Sequence, residues 1–230
     1  MSSLPAKLGP VIGLIFVVAL FAILRPATFL TPDNFQIMLL QTAVVGTAAL
    51  GMTLIIISGG IDLSIGSNIA LCTVAVALLL QHHVPPAAAA LGGVAVGSAC
   101  GAVIGVLVTR LHLTPFIVTL GMWGALRGAA KGLAGETMVT APTTWLNDLL
   151  QTPGPKDRWM IFPPGVWLMI VLTLFVAALL RYTRFGRHVF AIGSNEQTAR
   201  LCGVSVRGTK LLIWVVALAF AGMAGVLQFS

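Results

Sequence analysis

The residues with most capacity for chemistry stand together in Ser58-Gly59-Gly60-Ile61-Asp62-Leu63-Ser64-Ile65-Gly66-Ser67. They interrupt a stretch from Phe35 to Leu80 that is otherwise apolar. Two glycines break a helix there, and Asp62 and Ser64 offer N-cap oxygens for a restart. Irregular backbone near a bilayer is tolerated only where protein or a water-filled cavity satisfies it, and an acid at such a place is a functional candidate by default. Asp62 therefore reads either as the cap of the next helix or as a carboxylate with a transport role. Ser58, Ser64 and Ser67 are nucleophiles only with a base at the same depth. His82, His83, His112 and His188 all fall in loops, which argues against an intramembrane protease. The adjacent His82 and His83 cannot share a helix face as metal ligands would, and precede Pro85-Pro86 as an ordinary polar loop. Cys72, Cys100 and Cys202 show no CxxC or Cys/His ligand spacing, so neither a metal site nor a disulfide framework is expected.

A second segment, Arg184–Gly193 followed by Ser194-Asn195-Glu196-Gln197-Thr198-Ala199-Arg200-Leu201-Cys202-Gly203, is polar and basic. Ser194 with Gln197 three residues later reads as a capping box, and Gly203 suits the position just past a helix end. The spacing predicts a helix of two turns between Ser194 and Gly203. It suits docking into another protein's cleft, or it is a solvated loop.

These segments are positioned by a chain whose solvent is lipid. Of its 230 residues 58% are apolar and 8% charged, and the mean hydropathy is +1.02. Soluble domains carry about 25% charged residues. The net charge of +7 is spread over gaps between apolar runs, without the aromatic-and-basic patch of a nucleic-acid binder. A crossing needs about 20 apolar residues. Seven stretches approach this: approximately Leu8–Leu24, Phe35–Ile57, Ser67–Gln81, Ala87–Thr109, Phe116–Leu133, Gly165–Leu180 and Lys210–Gln228. The first lacks a small-x-small cleavage site, since Leu24-Arg25-Pro26 follows it, and reads as an uncleaved helix despite Lys7 at its basic end.

Loop charge sets the orientation. Arg181–Lys210 holds Arg181, Arg184, Arg187, Arg200, Arg207 and Lys210 against Glu196 and is expected in the cytoplasm. Glu136–Arg158 holds Glu136, Asp148 and Asp157 against Lys156 and Arg158 and is expected outside. Counting through the crossings places Arg110 and His112 inside, His82–Pro86 outside and the N-terminus inside. Gly93, Gly97, Gly101 and Gly105 recur at every fourth position, a GxxxG ladder that lets helix backbones approach closely. In the long outer connection, Thr144–Leu150 suits a short amphipathic turn, Trp145 and Trp159 suit the interface, and Pro153, Pro155, Pro163 and Pro164 stiffen the rest. The fold class expected is all-α, a polytopic transmembrane bundle of about seven crossings, forming one transmembrane domain over residues 1–230 with a cytoplasmic loop at 181–210.

Three blocks in order resemble the ribose/xylose/arabinose-type ABC transporter permeases. The first is Gly51-Met52-Thr53-Leu54 through Gly59–Ser67. The second is Phe116-Ile117-Val118-Thr119-Leu120-Gly121 with Arg127-Gly128. The third is Thr183–Arg187 through Ala191–Glu196, then Ala199-Arg200-Leu201 and Gly203. The resemblance runs from about Asn34 to the last residue. It implies a dimeric subunit of the bacterial inner membrane, coupled to a cytoplasmic ATP-binding subunit and supplied by a periplasmic sugar-binding protein. ATP and magnesium would be held by the partner subunit, in keeping with the lack here of GxxxxGK[ST]. It implies that Ser194, Asn195, Glu196, Gln197, Ala199, Arg200, Leu201 and Gly203 form the coupling helix, and that Gly59, Gly60, Asp62, Ser64 and Gly66 line or brace the translocation path. The sequence departs from the family's Glu-Ala-Ala pattern with Gln197-Thr198-Ala199, which leaves Glu196 as the carboxylate of the loop. Family members run longer, so the resemblance also implies further helices beyond those read here. The function expected is the permease of an ABC importer for a monosaccharide or similar small polar solute. The alternative is a secondary transporter or channel driven by an ion gradient, with Asp62 as its carboxylate.

Overall fold

The computed structural model describes residues 4–151 and 162–230. Ten α-helices and one 3₁₀ turn occur among them, with no strand. The helices are α1 (Leu4–Leu24), α2 (Pro26–Phe29), α3 (Pro32–Ile57), α4 (Ile65–Gln81), α5 (Pro86–Thr109), α6 (Pro115–Leu133), α7 (Pro164–Tyr182), α8 (Arg184–Ser194), α9 (Glu196–Leu201) and α10 (Val206–Phe229). The 3₁₀ turn, Trp145–Leu149, buries Leu146 and exposes Trp145. Trp159, Pro153, Pro155 and the charges Lys156, Asp157 and Arg158 lie outside the described residues.

Proline sets many of the helix starts. Pro26, Pro32, Pro86, Pro115 and Pro164 each open a helix, where the missing N–H is one that has no intrahelical partner anyway. Four helices, α3, α5, α7 and α10, are long and apolar enough to cross a membrane, while α4 is a shorter apolar helix of 17 residues. Large apolar side chains left exposed along α3, α6 and α7, such as Val45, Ile117 and Leu174, are what a lipid-facing surface requires.

The chain divides into two compact units, residues 1–41 and 42–230. In the first, Phe21 stacks on Phe29 at 5.8 Å between ring centroids, and Asn34 Nδ2 donates to the Phe29 carbonyl at 2.8 Å. In the second, α10 is the central element and is buried along most of its length. Its most extensive neighbour is α5, followed by α4, and Leu54 and Ile55 of α3 join Ile213, Trp214, Ala217 and Leu218 of α10 in the main core. A second layer forms where Leu126 and Ala130 of α6 pack on Leu71 of α4.

The ends of this unit are defined by contacts. At one end the α3–α4 connection, the start of α6, the end of α5 and the start of α10 gather around α8 and α9. At the other, Leu80, Ala89, Leu146 and Val226 cluster, and Gln81 Nε2 donates to the Thr140 carbonyl at 2.6 Å. Helices α3, α5 and α7 therefore run one way and α4, α6 and α10 the other. Arg184–Gly193, expected as loop, is helical and amphipathic: it buries Gly186, Val189 and Ile192 and exposes Arg184 and Arg187. The short polar run hid this helix from a search for apolar crossings. Its cap is Thr183, whose Oγ1 accepts from the Gly186 N–H at 3.1 Å.

Candidate functional site

Two backbone motifs shape the end of the bundle that holds α8 and α9. Helix α3 ends in a Schellman motif. Gly59 adopts φ +83°, its N–H donates to the Ile56 carbonyl at 3.0 Å, and the Gly60 N–H donates to the Ile55 carbonyl at 2.9 Å. The chain then turns through Asp62 and Ser64 into α4. Asp62 is buried, at 3% exposure, and Ser64 is fully buried. The Asp62 Oδ1 accepts from both the Ser64 N–H at 2.7 Å and the Ser64 hydroxyl at 2.6 Å. This corrects the capping reading. Asp62 closes a local turn over its own loop, and the Ser64 side chain is used as a donor, so neither caps the first N–H groups of α4. Burial pushes the Asp62 carboxyl above its ordinary pKa, and the two hydrogen bonds from Ser64 pull it partly back. Its Oδ2, with Ser67 Oγ and Asn68 Nδ2, is buried without a hydrogen-bond partner among the described residues. Gly66 lies in the first turn of α4 with open space where a side chain would be.

The second motif ends α9. Gly203 adopts φ +82°, its N–H donates to the Arg200 carbonyl at 3.1 Å, and the Val204 N–H donates to the Ala199 carbonyl at 3.0 Å. Ala199 and Val204 join Ile192 and Val206 in a small apolar cluster, the contact that usually accompanies this motif. The expected box at the start of the helix is not formed. Ser194 is the last residue of α8, and Asn195 is the cap, its Oδ1 accepting from the Thr198 N–H at 3.0 Å. An Asn one residue later competes for the same role, and it wins because α8 continues through Ser194. Glu196 pairs with Lys210 at 2.5 Å and with Arg200 at 3.4 Å, tying α9 to the N-terminal part of α10. Gln197, Thr198 and Leu201 face outward, and Leu201, at 89% exposure, is an apolar side chain presented on a polar surface.

Helix α8, which leads into the second motif, touches the first. A side chain at Gly193 would collide with the Ile57 carbonyl, so the end of α8 rests directly on the end of α3. On the far side of the break, the Thr119 hydroxyl of α6 donates to the Ile61 carbonyl at 3.5 Å. The glycine ladder lies elsewhere, along α5. Gly97, Gly101 and Gly105 face the α10 backbone or side chains from Leu211 to Gly222, and Gly93 faces Val76 and Val226.

A cavity of about 480 Å³ lies between α4 and α6 and involves residues not singled out from the sequence for a path. Arg127 and Lys131 of α6, with Glu136 and Thr137 beyond its end, face Ala70 and Val74 of α4. Arg127 stands about 12 Å along α6 from Thr119, at 1.5 Å per residue. The signal was present in the sequence: two cations four residues apart inside an otherwise apolar helix are costly in lipid and mark a polar cavity. Among the described residues, no cluster of three or more histidine, cysteine or acidic side chains could hold a metal ion.

Antiparallel apolar helices, a polar break between two of them and a pair of short helices at one end define a polytopic helical membrane protein. The chain belongs to the family described as branched-chain amino acid transport system / permease component, whose model matches residues 34–230. It is similar to the ribose import permease protein RbsC of Escherichia coli (strain K12), 34% identical over 219 residues that cover 95% of this chain and 68% of that protein. It is also similar to the fructose import permease protein FrcC of Rhizobium meliloti, 32% identical over 94% of this chain and 61% of that protein. The L-arabinose ABC transporter permease protein AraH of Azospirillum brasilense is 34% identical over 88% of this chain and 58% of its own length. No solved structure matches. A family of permease components places the chain among transport subunits rather than enzymes.

Proposed function

We propose that this chain is the membrane-spanning permease subunit of an ATP-binding-cassette importer for a monosaccharide or a similar small polar solute. The observation that carries this reading is the match to sugar import permeases over nearly the whole chain, 34% identity across 95% of it in the case of the ribose permease. The basic segment Arg181–Lys210 favours placing α8, α9 and the N-terminus on the cytoplasmic side of a bacterial inner membrane. There α9 is the coupling helix, with Leu201 and Gln197 presented to a cleft of the ATP-binding subunit, which holds ATP and magnesium. A periplasmic sugar-binding protein delivers substrate to the opposite face, and a second permease copy completes the path. Gly59, Gly60, Asp62, Ser64 and Gly66 brace the path from the cytoplasmic end, beneath the cavity that Arg127 and Lys131 line. Closure of the ATPase pair is transmitted through α9 to drive alternating access.

The test is Gly203→Ile in the complete reconstituted complex. A β-branched residue is strained at φ +82°, so the Schellman end of α9 is lost while the apolar spans are untouched. Substrate-stimulated ATP hydrolysis is expected to disappear, and unchanged stimulation overturns the coupling role. Uptake that persists without the ATPase subunit and collapses with the proton gradient would instead establish an ion-driven transporter.

A further inference from the structure

The cytoplasmic loop and the α5–α6 turn line a half-open cavity of about 290 Å³ that coupling alone does not require. His112 and Leu113 of the turn form one wall, Glu196 and Arg200 of α9 a second, and Arg207 and Lys210 of α10 a third. Three cations and an imidazole thus face one carboxylate. Glu196 is already engaged by Lys210 and Arg200, and Arg207 has no ion-pair partner among the described residues. The cavity therefore carries a surplus of two positive charges, all from the α9–α10 segment, while the α5–α6 turn contributes the imidazole and apolar groups. A loop that merely obeys the charge rule for membrane orientation spreads its cations into water. Here three of them line one half-open cavity. The rim is apolar and exposed: Leu111 and Leu113 stand at the turn, and Phe116 and Ile117 continue the surface along the first turn of α6.

We propose that this cavity binds a phosphate group, and that the phosphate is the headgroup of an anionic phospholipid whose acyl chains lie over Leu111, Leu113, Phe116 and Ile117. Basic pockets between helices at the cytoplasmic face are suited to such headgroups, and a phosphate oxygen accepts well from guanidinium and ammonium donors. A free phosphate has the same headgroup chemistry without using the apolar rim. Because α9 forms a wall of the cavity, an occupied site would hold the coupling helix against the bundle.

The binding itself does not depend on the orientation or partners proposed above; only the leaflet that supplies the lipid does. The purified chain in detergent micelles is titrated with phosphatidylglycerol, with phosphatidylcholine and with inorganic phosphate, and its melting midpoint is followed. Phosphatidylglycerol is expected to raise the midpoint and phosphatidylcholine to leave it unchanged, with Arg207→Gln weakening the apparent phosphatidylglycerol affinity at least fivefold. Arg184→Gln, a cation of the same end outside the cavity, is expected to weaken it less than twofold. A response to inorganic phosphate that is lost in Arg207→Gln upholds the cavity and assigns it to a soluble ligand. Equal stabilisation by the two lipids, or equal losses in Arg207→Gln and Arg184→Gln, overturns the site. Failure here leaves the Gly203→Ile result standing, and the reverse holds as well.

Discussion

A single methyl group at Gly101 tests the packing on which the bundle depends. The Cβ of an alanine there would fall 2.9 Å from the Trp214 carbonyl carbon and 3.0 Å from the Val215 Cα, and closer still to the Trp214 oxygen. All three are backbone atoms of α10, so no side chain can rotate away and the two helices must separate. Overpacking of this kind costs about 1–3 kcal/mol. Replacing a helical glycine by alanine returns about 1 kcal/mol of backbone preference, leaving a net loss of up to about 2 kcal/mol. On the scale of soluble domains near this size, that lowers the melting midpoint by up to about 8 °C. Gly97→Ala meets Leu218 and Gly222 in the same groove. One separation of α5 from α10 relieves both collisions, so the double variant should lose less than the sum of the singles.

The assay uses the chain's own thiols. Cys72 is fully buried, Cys100 half-buried and Cys202 exposed, so in a Cys100→Ser, Cys202→Ser background a maleimide dye reports unfolding through the core cysteine. Gly13→Ala on α1, where a Cβ meets nothing within 4 Å, is the control and should melt unchanged or slightly higher. A Gly101→Ala chain that melts at or above the parent temperature refutes the close-approach argument, as does a control that loses as much.

Burial raises the folded-state pKa of Asp62 above its ordinary value of 3.8, so the folded chain holds that proton more tightly than the unfolded chain. The associated stability is present below 3.8 and is lost as pH rises through the raised value. Asp62→Asn, which keeps an oxygen for Ser64, should therefore remove this pH dependence and melt at or above the parent at pH 7; a large loss at pH 7 would show that the charge itself is needed. Glu196→Gln removes both ion pairs of α9, and since the Glu196 side chain is 41% exposed the loss should be under about 1 kcal/mol. That loss should shrink as salt is raised toward 1 M, and a difference from the parent that stays constant across salt would rule out an electrostatic origin.

The features most legible in the sequence were those governed by composition and by single residues. Apolar runs located the long helices to within a few residues, because lipid demands length and hydrophobicity and little else. Gly59 and Gly203 marked helix ends, because a left-handed backbone angle there favours glycine. Side-chain partnerships were harder to read. Ser194 and Asn195 are both good caps, and only the continuation of α8 decides between them. Asp62 and Ser64 each had the right chemistry to cap α4, yet they satisfy one another. Arg127 and Lys131 were visible as charges in an apolar helix, but their convergence with Glu136 on a cavity depends on where α4 lies.

The α3–α4 break gains its meaning from what touches it. Its glycine end receives α8 at the Ile57 carbonyl, with no side chain between the two backbones. Four residues later the Ile61 carbonyl accepts from Thr119, on the helix that carries Arg127 and Lys131. Packed backbone contacts of this kind have little slack, because interiors have few voids to absorb a displacement. A movement of α8 by a few tenths of an ångström must therefore be met by α3, by the loop or by both. The loop is the softer of the two: beyond its glycine end it is a short irregular turn held by the two Ser64 bonds to one carboxylate oxygen and the single bond from Thr119, whereas α3 just before this point is a continuous helix locked against α10 by Gly51, Leu54 and Ile55. The break is thus the place where strain imposed at α8 is most readily taken up, and the start of α6 is the first span beyond it.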